Sequence, residues 1–189
     1  MIYLLCGKSG AGKSTVAQCL HDLFGVYRIN TYTTRQKRDG EREDFDYHFV
    51  SDDVFKNLEK HHEFIESRSY NASFGCVSYG SLRKDYYPSN LYPKRVIILN
   101  PDGILSLKDA GVFNKKSVFD DVRVIYLDID ADVLLERLQK RGDSPQEIQR
   151  RLQSDEIDFK KLERFDTLYR IDCTKMNPID ICNKIISLR

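Results

Sequence analysis

The fold of this 189-residue chain is decided by the stretch G-K-S-G-A-G-K-S-T, residues 7–15. It matches the pattern G-x-x-x-x-G-K-[S/T], whose fixed positions are Gly7, Gly12, Lys13 and Ser14. A short apolar run, residues 2–6, precedes it, and apolar residues follow it at helical spacing. The stretch is therefore predicted to leave a buried strand and to open a helix, whose free N–H groups and positive dipole end face the loop.

The residue types of this loop suit a chain of phosphates. Glycines let the backbone turn sharply and bring amide hydrogens close to an anion. Lys13 places a charge on the β- and γ-phosphates, and the Ser14 hydroxyl is a ligand for Mg²⁺. The alternative is a glycine- and serine-rich turn that matches by chance. The loop residues predicted to bind the donor nucleotide are Gly7, Ser9, Gly10, Ala11, Gly12, Lys13, Ser14 and Thr15.

Composition limits the class of protein. The hydrophobic fraction is 41% and the charged fraction 31%, which is typical of a globular domain. The net charge of +1 is too balanced for a general nucleic-acid binder. No apolar run is long enough to span a bilayer, and no charged segment with an apolar run marks a signal peptide. Five cysteines without a paired framework predict reduced thiols and a cytoplasmic location.

The order of strand and helix patterns predicts an α/β domain of three layers with a parallel sheet. Helix 13–24 ends at Gly25, Ser51 caps a second helix, and Ser144 to Glu147 form a capping box that opens another. The adjacent His61 and His62 are interpreted as a solvated pair, with a zinc site as the alternative. The remaining predicted elements are strands 26–30, 64–68, 95–99, 122–127 and 167–171, helices 104–110 and 131–141, a closing helix from Asn177, and a hairpin over 70–79.

A second cluster of charged residues lies in the segment T-T-R-Q-K-R-D-G-E-R-E-D-F-D-Y, residues 33–47. Arg35 and Arg38 are three residues apart, and two arginines aimed at one point hold a phosphate in bidentate fashion. The alternative is a solvated charged loop, which composition alone favours. The segment 33–85 also interrupts the alternation of strand and helix, so it is interpreted as an inserted acceptor-binding subdomain.

These motifs together resemble those of the guanylate kinases, and the resemblance covers most of the chain. It is carried by T-T-R-x-x-R-x-G-E at 33–41 and D-Y-H-F-V-S at 46–51, after an N-terminal phosphate loop. F-I-E at 64–66 and Y-G-S at 79–81 match further family elements. E-R-L at 136–138, K-R-G at 140–142 and R-R-L at 150–152 resemble the family's mobile lid. The resemblance implies a P-loop kinase fold with a parallel central sheet, an inserted GMP-binding subdomain and a helical lid.

The resemblance also implies site residues. Glu66 is expected to accept from the adjacent N1–H and N2–H₂ donors of guanine, whereas adenine would turn a lone pair toward its carboxylate. Arg137 and Arg141 share a helix face, and Arg151 lies on the next helix. The alternative for these arginines is a solvated, salt-bridged helix surface, and the alternative for Glu66 is a surface strand residue. The implied GMP-phosphate ligands are Arg35, Arg38, Tyr47 and Tyr79, the implied guanine neighbours are Thr31, Glu66, Ser81 and Asn100, and the implied catalytic residues are Lys13, Arg35, Arg38, Arg137 and Arg151.

Some positions depart from the family pattern. Asp44 stands where the family has glycine, and Asn100 stands where it has aspartate. Lys37 replaces a proline, and Ser78 replaces an aromatic residue. Asp44 adds negative charge near the two arginines, and Asn100 keeps an acceptor oxygen but brings no charge.

The predicted function is ATP-dependent phosphorylation of GMP and dGMP, with Mg²⁺, in purine nucleotide metabolism. A single domain is expected, with a core (1–32, 86–130, 162–189), an acceptor-binding subdomain (33–85) and a lid (131–161), as a monomer or homodimer. Neither nucleic acid nor membrane is an expected partner. The alternatives are a P-loop kinase for another nucleotide and a non-catalytic interaction module of similar fold.

Overall fold

The computed structural model describes residues 1–38, 40–72, 75–114, 121–165 and 168–188. The strands are β1 (Ile2–Cys6), β2 (Tyr27–Arg28), β3 (Tyr32–Thr33), β4 (His48–Phe49), β5 (Phe64–Ala72), β6 (Gly75–Leu82), β7 (Arg95–Ile98), β8 (Val122–Asp128) and β9 (Leu168–Asp172). The α-helices are α1 (Lys13–Phe24), α2 (Asp52–Lys60), α3 (Pro101–Asp109), α4 (Ala131–Lys140), α5 (Pro145–Lys160) and α6 (Pro178–Ser187). Short 3₁₀ helices cover Arg83–Tyr86 and Lys161–Arg164.

The central sheet is parallel and has the order β2-β7-β1-β8-β9. Side chains of β1 alternate between two cores because successive residues of a strand point to opposite faces. Tyr3 and Leu5 pack in one core with residues of α1 and α6, whereas Ile2 and Leu4 pack in the other with residues of α3. The sheet therefore lies between two helical layers, and the predicted three-layer α/β fold is confirmed.

A second sheet has the order β4-β3-β6-β5 and comes almost wholly from the segment predicted to bind the acceptor. Its longest pairing is the antiparallel hairpin of β5 and β6, which places Glu66 opposite Ser81 and Arg68 opposite Tyr79. A small separate core of Phe55, Phe64 and Leu82 supports it. The exact limits of core, subdomain and lid stay a prediction.

Local signals placed several helix ends correctly. Helix α1 begins at Lys13 and ends at Gly25, which is left-handed at φ 63°, as predicted. The Ser51 side chain accepts from the N–H of Val54 at the start of α2. His61 ends α2 as its C-terminal cap, and both His61 and His62 are exposed, as a solvated pair would be.

Other element boundaries predicted from the sequence differ from those in the structure. Helix α3 begins at Pro101 and not at 104, because Oδ1 of Asn100 accepts from the N–H of Gly103 at 2.9 Å and caps it. The strand predicted at 26–30 is only Tyr27–Arg28. Asn71, predicted as a turn residue, continues β5, whose hairpin is longer than the sequence indicated. The predicted start of the last strand, Thr167, lies outside the described residues.

Two further findings concern membrane-spanning helices and the cysteine side chains. Among the described residues, no helix combines the length and apolar character needed to cross a membrane. All five cysteines carry free thiols.

Candidate active site

The loop of residues 7–15 joins the carboxyl end of β1 to the first turn of α1, as predicted. Gly10 and Gly12 are left-handed, with φ 85° and 83°, which a residue with a side chain adopts only with strain. A Cβ at Gly7 would lie 2.9 Å from the carbonyl oxygen of Leu127 on the neighbouring strand. The glycines are therefore required both by the turn and by the close approach of β8.

Lys13 is held inside this loop. Its Nζ donates to the carbonyl oxygens of Gly7 at 2.6 Å and Lys8 at 3.1 Å. Burial lowers the pKa of Lys13, and the charge of Asp155 acts in the opposite direction. The loop thus carries a preplaced cation that an anionic ligand would stabilise.

Helices α4 and α5 bring arginines to the same place. Nη1 of Arg137 lies 3.3 Å from the carbonyl oxygen of Gly10, so this side chain contacts the loop. Nη2 of Arg151 pairs with Glu147 at 2.7 Å. Arg141 pairs with Asp143 and is nearly half exposed. Arg137 therefore contacts the loop and Arg151 lines the cleft beside Lys13, while the charges of Arg141 and Arg151 both lower the pKa of Lys13.

Arg35 is buried and lies two residues after β3, a strand of the second sheet. Its Nε donates to the hydroxyl of Tyr79 at 3.1 Å, and its Nη2 pairs with Glu41 at 2.7 Å. Its guanidinium also lies 5.4 Å from the centre of the Tyr47 ring. Burial disfavours the charged form, but the hydrogen bonds that Arg35 donates to Glu41 and Tyr79, together with the charges of those two residues, outweigh it and raise the pKa of Arg35. Arg35, Tyr47 and Tyr79 therefore form one contact group, and their binding of the GMP phosphate stays a prediction.

Arg38 lines the same cleft as this group and Lys13. Burial lowers the pKa of Arg38, and the positive charges of Arg35 and Arg151 lower it further. Several cations therefore crowd together, and a bound anion would relieve their repulsion.

Lys13, Arg35, Arg38 and Arg151 line one cleft of about 460 Å³. Ten of the predicted site residues line it, namely Gly7, Ser9, Lys13, Thr31, Arg35, Arg38, Tyr47, Tyr79, Asn100 and Arg151. Glu66 and Ser81 are buried. Sequence reasoning did not select Arg68, Tyr70, Asp102, Glu147, Arg150, Asp155 and Asp158, which also line the cleft. Arg68 lies two residues after Glu66 on a strand and Asp155 four after Arg151 on a helix, so spacing alone could have selected both.

Glu66 forms the centre of a buried hydrogen-bond network. Its Oε1 accepts from the Ser81 hydroxyl at 2.7 Å, and its Oε2 accepts from Nη1 of Arg68 at 2.6 Å. Because the Ser81 proton goes to Glu66, the Tyr86 hydroxyl donates to Ser81 at 3.0 Å. Burial and the Glu66 charge raise the pKa of Tyr86 well above its usual value. A carboxylate fixed by so many donors is suited to recognise a ligand with paired N–H groups.

A family model described as guanylate kinase matches residues 1–175. The chain belongs to the guanylate kinase family. It is a nucleoside monophosphate kinase, and the reaction of its family transfers a phosphoryl group from ATP to GMP.

Individual relatives agree with the family model. The chain is 33% identical over 170 residues to a guanylate kinase of Mycoplasma genitalium, and the match covers 87% of this chain and 66%, slightly under two thirds, of that protein. It is 32% identical over 164 residues to a guanylate kinase of Chlorobium luteolum, covering 85% of this chain and 78% of that protein. The crystal structure of guanylate kinase from Anaplasma phagocytophilum shares the fold, with a TM-score of 0.67, 23% identity, and coverage of 98% and 82% of the two chains.

Asp44 and Asn100 are two positions at which this guanylate kinase family member departs from the family pattern, and the structure shows the contacts of both. Asp44, at the family's glycine position, is left-handed at φ 57°, and its Oδ1 lies 2.6 Å from Nδ1 of His48. The backbone here has the conformation for which glycine is preferred. Asn100 lines the cleft, but its side-chain oxygen caps α3, so that oxygen already has a backbone partner.

Proposed function

We propose that this chain transfers the γ-phosphoryl group of ATP to GMP and dGMP in the cleft between the loop and the second sheet. The observation that carries the proposal is the convergence of Lys13, Arg38 and Arg151 on one cavity. Two anionic substrates repel each other, so a site that joins them must supply positive charge from several directions.

The donor would occupy the loop. The backbone N–H groups of residues 7–15 and the positive end of α1 would bind its β- and γ-phosphates, with Lys13 and Arg137 beside them. Arg151 would meet the transferring group. No covalent intermediate with the protein is required, because positioning and charge neutralisation suffice for an in-line displacement.

The acceptor would occupy the other half of the cleft. Arg35, Arg38, Tyr47 and Tyr79 would hold its phosphate. Glu66 would accept from the two adjacent donors of guanine, with Thr31, Ser81 and Asn100 around the base. An acceptor base without those donors would place mismatched groups against the two remaining acceptor positions of a buried carboxylate, which costs roughly 1–3 kcal/mol or more.

The donor set of the cleft fits Mg²⁺. The Ser14 hydroxyl lies in the first turn of α1, and the carboxylates of Asp102 and Asp158 line the cleft. Oxygen atoms of this kind are the ligands that Mg²⁺ takes. These oxygens would hold the ion, which would supply positive charge that neutralises the donor phosphates.

The acceptor-binding subdomain and the lid predicted from the sequence are the two segments proposed to close over the substrates. Residues 33–85 would carry the acceptor, and residues 131–161 would close as a lid and exclude water that would otherwise hydrolyse ATP. The cytoplasmic location and the monomeric or homodimeric state remain predictions.

A coupled assay of ADP release tests the proposal with ATP–Mg²⁺ and a panel of GMP, dGMP, AMP, CMP and UMP. GMP and dGMP should be phosphorylated, and the other nucleotides should show kcat/KM values lower by about 100-fold or more. Equal turnover of AMP would contradict recognition by Glu66. Binding of ATP–Mg²⁺ without turnover of any acceptor would favour the non-catalytic alternative, for which the intact loop gives no support.

A further inference from the structure

Arg68 lies beside the carboxylate that is proposed to recognise the base. It follows Glu66 by two residues on β5, so both side chains share one face of the strand. Its Nη1 donates to Oε2 of Glu66 at 2.6 Å. The Glu66 side chain is 0% exposed and the Arg68 side chain 16% exposed, and Arg68 lines the cleft. The guanidinium therefore lies between the carboxylate and the cleft.

Two neighbours lie against Arg68 in this position. Its guanidinium lies 5.7 Å from the ring centre of Tyr79, its cross-strand partner. On the other side, a Cβ at Gly103 of α3 would come within 2.6 Å of Nη1 of Arg68 and 3.2 Å of Oε2 of Glu66. A glycine at 103 thus leaves room for the ion pair. The pair is packed between β6 and the N-terminal turn of α3.

The Arg68 guanidinium has N–H donors that its hydrogen bond to Glu66 does not use. It offers five N–H groups, and in the described part of the chain the hydrogen bond to Glu66 uses one of them. Nε is buried and has no hydrogen-bond partner among the described residues. An unpaired buried donor is costly, and an acceptor atom on a ligand would satisfy it.

We infer that Arg68 is a specificity-determining residue of the acceptor-base site, donating to the 6-oxo group of the purine while Glu66 accepts from its N–H groups. This inference rests on the proposed function. The edge of guanine presents an acceptor at O6, then donors at N1 and N2, and an adjoining arginine and glutamate present the complementary order. Adenine presents an amine and a lone pair instead, so it is mismatched with both residues.

A shift of the side chain completes the site. The Glu66 carboxylate is fully covered, so the Arg68 guanidinium must move aside from its place between Glu66 and the cleft before a base reaches Glu66. The long arginine side chain allows this motion. An ionised carboxylate accepts about four hydrogen bonds, so Glu66 can keep Ser81 and Arg68 while it accepts from the base.

Steady-state kinetics of Arg68→Ala test the inference with GMP and IMP as acceptors and AMP as a competitive inhibitor. IMP has the 6-oxo group and N1–H but lacks the 2-amine. The KM values for GMP and IMP should rise by the same factor, about tenfold, with kcat little changed. The Ki of AMP should not rise, because adenine has no oxygen for Arg68. Arg68→Lys, which keeps one charged donor without the fork, should fall between.

Arg123→Ala is the matched control. The Arg123 side chain is 15% exposed and pairs with Asp121 at 3.3 Å, at the start of β8 and away from the cleft. The Arg123→Ala substitution should leave the KM values for GMP and IMP and the Ki of AMP unchanged. Arg68→Gln serves as the variant if the alanine variant does not fold, as judged by thermal unfolding.

The outcomes separate the two proposals. An active wild-type chain whose Arg68 variants keep or lower the KM for GMP would contradict this inference alone, since the guanidinium would then only cover Glu66. Equal weakening of GMP, IMP and AMP would show a merely structural role and would also contradict it. A wild-type chain that phosphorylates other nucleotides but not GMP would contradict the proposed function itself, and this inference with it.

Discussion

The main-chain N–H of Ser9 donates a 2.6 Å hydrogen bond to Oδ2 of Asp155, so a carboxylate of α5 lies against the phosphate loop. Asp155 also raises the pKa of the neighbouring Lys13 against the effect of burial. An acidic side chain thus occupies groups that the donor phosphates are proposed to bind. Donor binding must displace it, against Coulomb repulsion between like charges.

Asp155→Asn should therefore lower the KM for ATP, by about three- to tenfold, and the effect should shrink at high salt because salt screens exposed charges. Glu156→Gln is the control, since that residue is the exposed next position of α5 and pairs with Lys160. Measurement of initial rate against ATP concentration decides the matter. A raised KM would instead indicate that Asp155 helps to hold the donor, through a bound cation.

Lys13→Ala should reduce kcat by about 100-fold or more, because the loop then lacks its fixed charge on the transferring phosphates. The fold should persist, since within the described part of the chain the hydrogen bonds of the Lys13 side chain go to loop carbonyls, those of Gly7 and Lys8. Circular dichroism checks the fold and the coupled assay checks turnover. Lys56→Ala, on an exposed position of α2, controls for the loss of a charge. Full activity of the Lys13 variant would refute the proposed mechanism.

Glu66→Gln should lower kcat/KM for GMP by about 100-fold, because an amide turns N–H groups toward the N–H donors of guanine. The same change should affect AMP much less, so the preference for guanine should decrease. Glu63→Gln, an exposed position just before β5, is the control. Unchanged discrimination between GMP and AMP would place base recognition elsewhere in the cleft.

The parts of the site that the sequence predicted are those with local causes. The loop, α1 and its end at Gly25 follow from a fixed pattern and a glycine in the left-handed region. Arg35 and Arg38 were selected as a phosphate clamp, and both line the cleft with Lys13. Here the motif spacing itself carries the information.

The parts that the sequence did not predict depend on packing between distant segments. The covering of Glu66 by Arg68 requires the register of β5 with β6 and the approach of Gly103 from α3. The contact of Asp155 with Ser9 joins residues 146 positions apart. Asn100 was expected to present its side-chain oxygen to guanine. In the structure this oxygen caps α3, because α3 begins at Pro101 and not at the predicted position 104.

Asp44 provides a test of backbone strain. Its φ of 57° costs a residue with a Cβ about 1 kcal/mol, and aspartate reduces this cost through local hydrogen bonds. Asp44→Ala should therefore lower the free energy of unfolding by about 1 kcal/mol, and Asp44→Gly should change it by less than about 0.5 kcal/mol. Urea unfolding measures both variants. An alanine variant as stable as the glycine variant would show that this turn relaxes to another conformation.

Glu147 predicts a pH dependence of stability. Hydrogen bonds from Arg150, and the charge of Arg151, lower the pKa of Glu147 from 4.5 to about 2. A carboxyl group whose pKa is depressed in the folded state contributes stability that is fully present above the unfolded pKa, and this contribution is lost as the pH falls toward the folded pKa. The difference in unfolding free energy between the wild type and Glu147→Gln should thus be constant above about pH 5 and shrink between 4.5 and 2. Arg150→Ala should weaken that pH dependence, because it removes two hydrogen bonds of 2.8 Å to Glu147. A difference that stays flat down to pH 2 would mean that the ion pair opens in solution and leaves Glu147 fully hydrated.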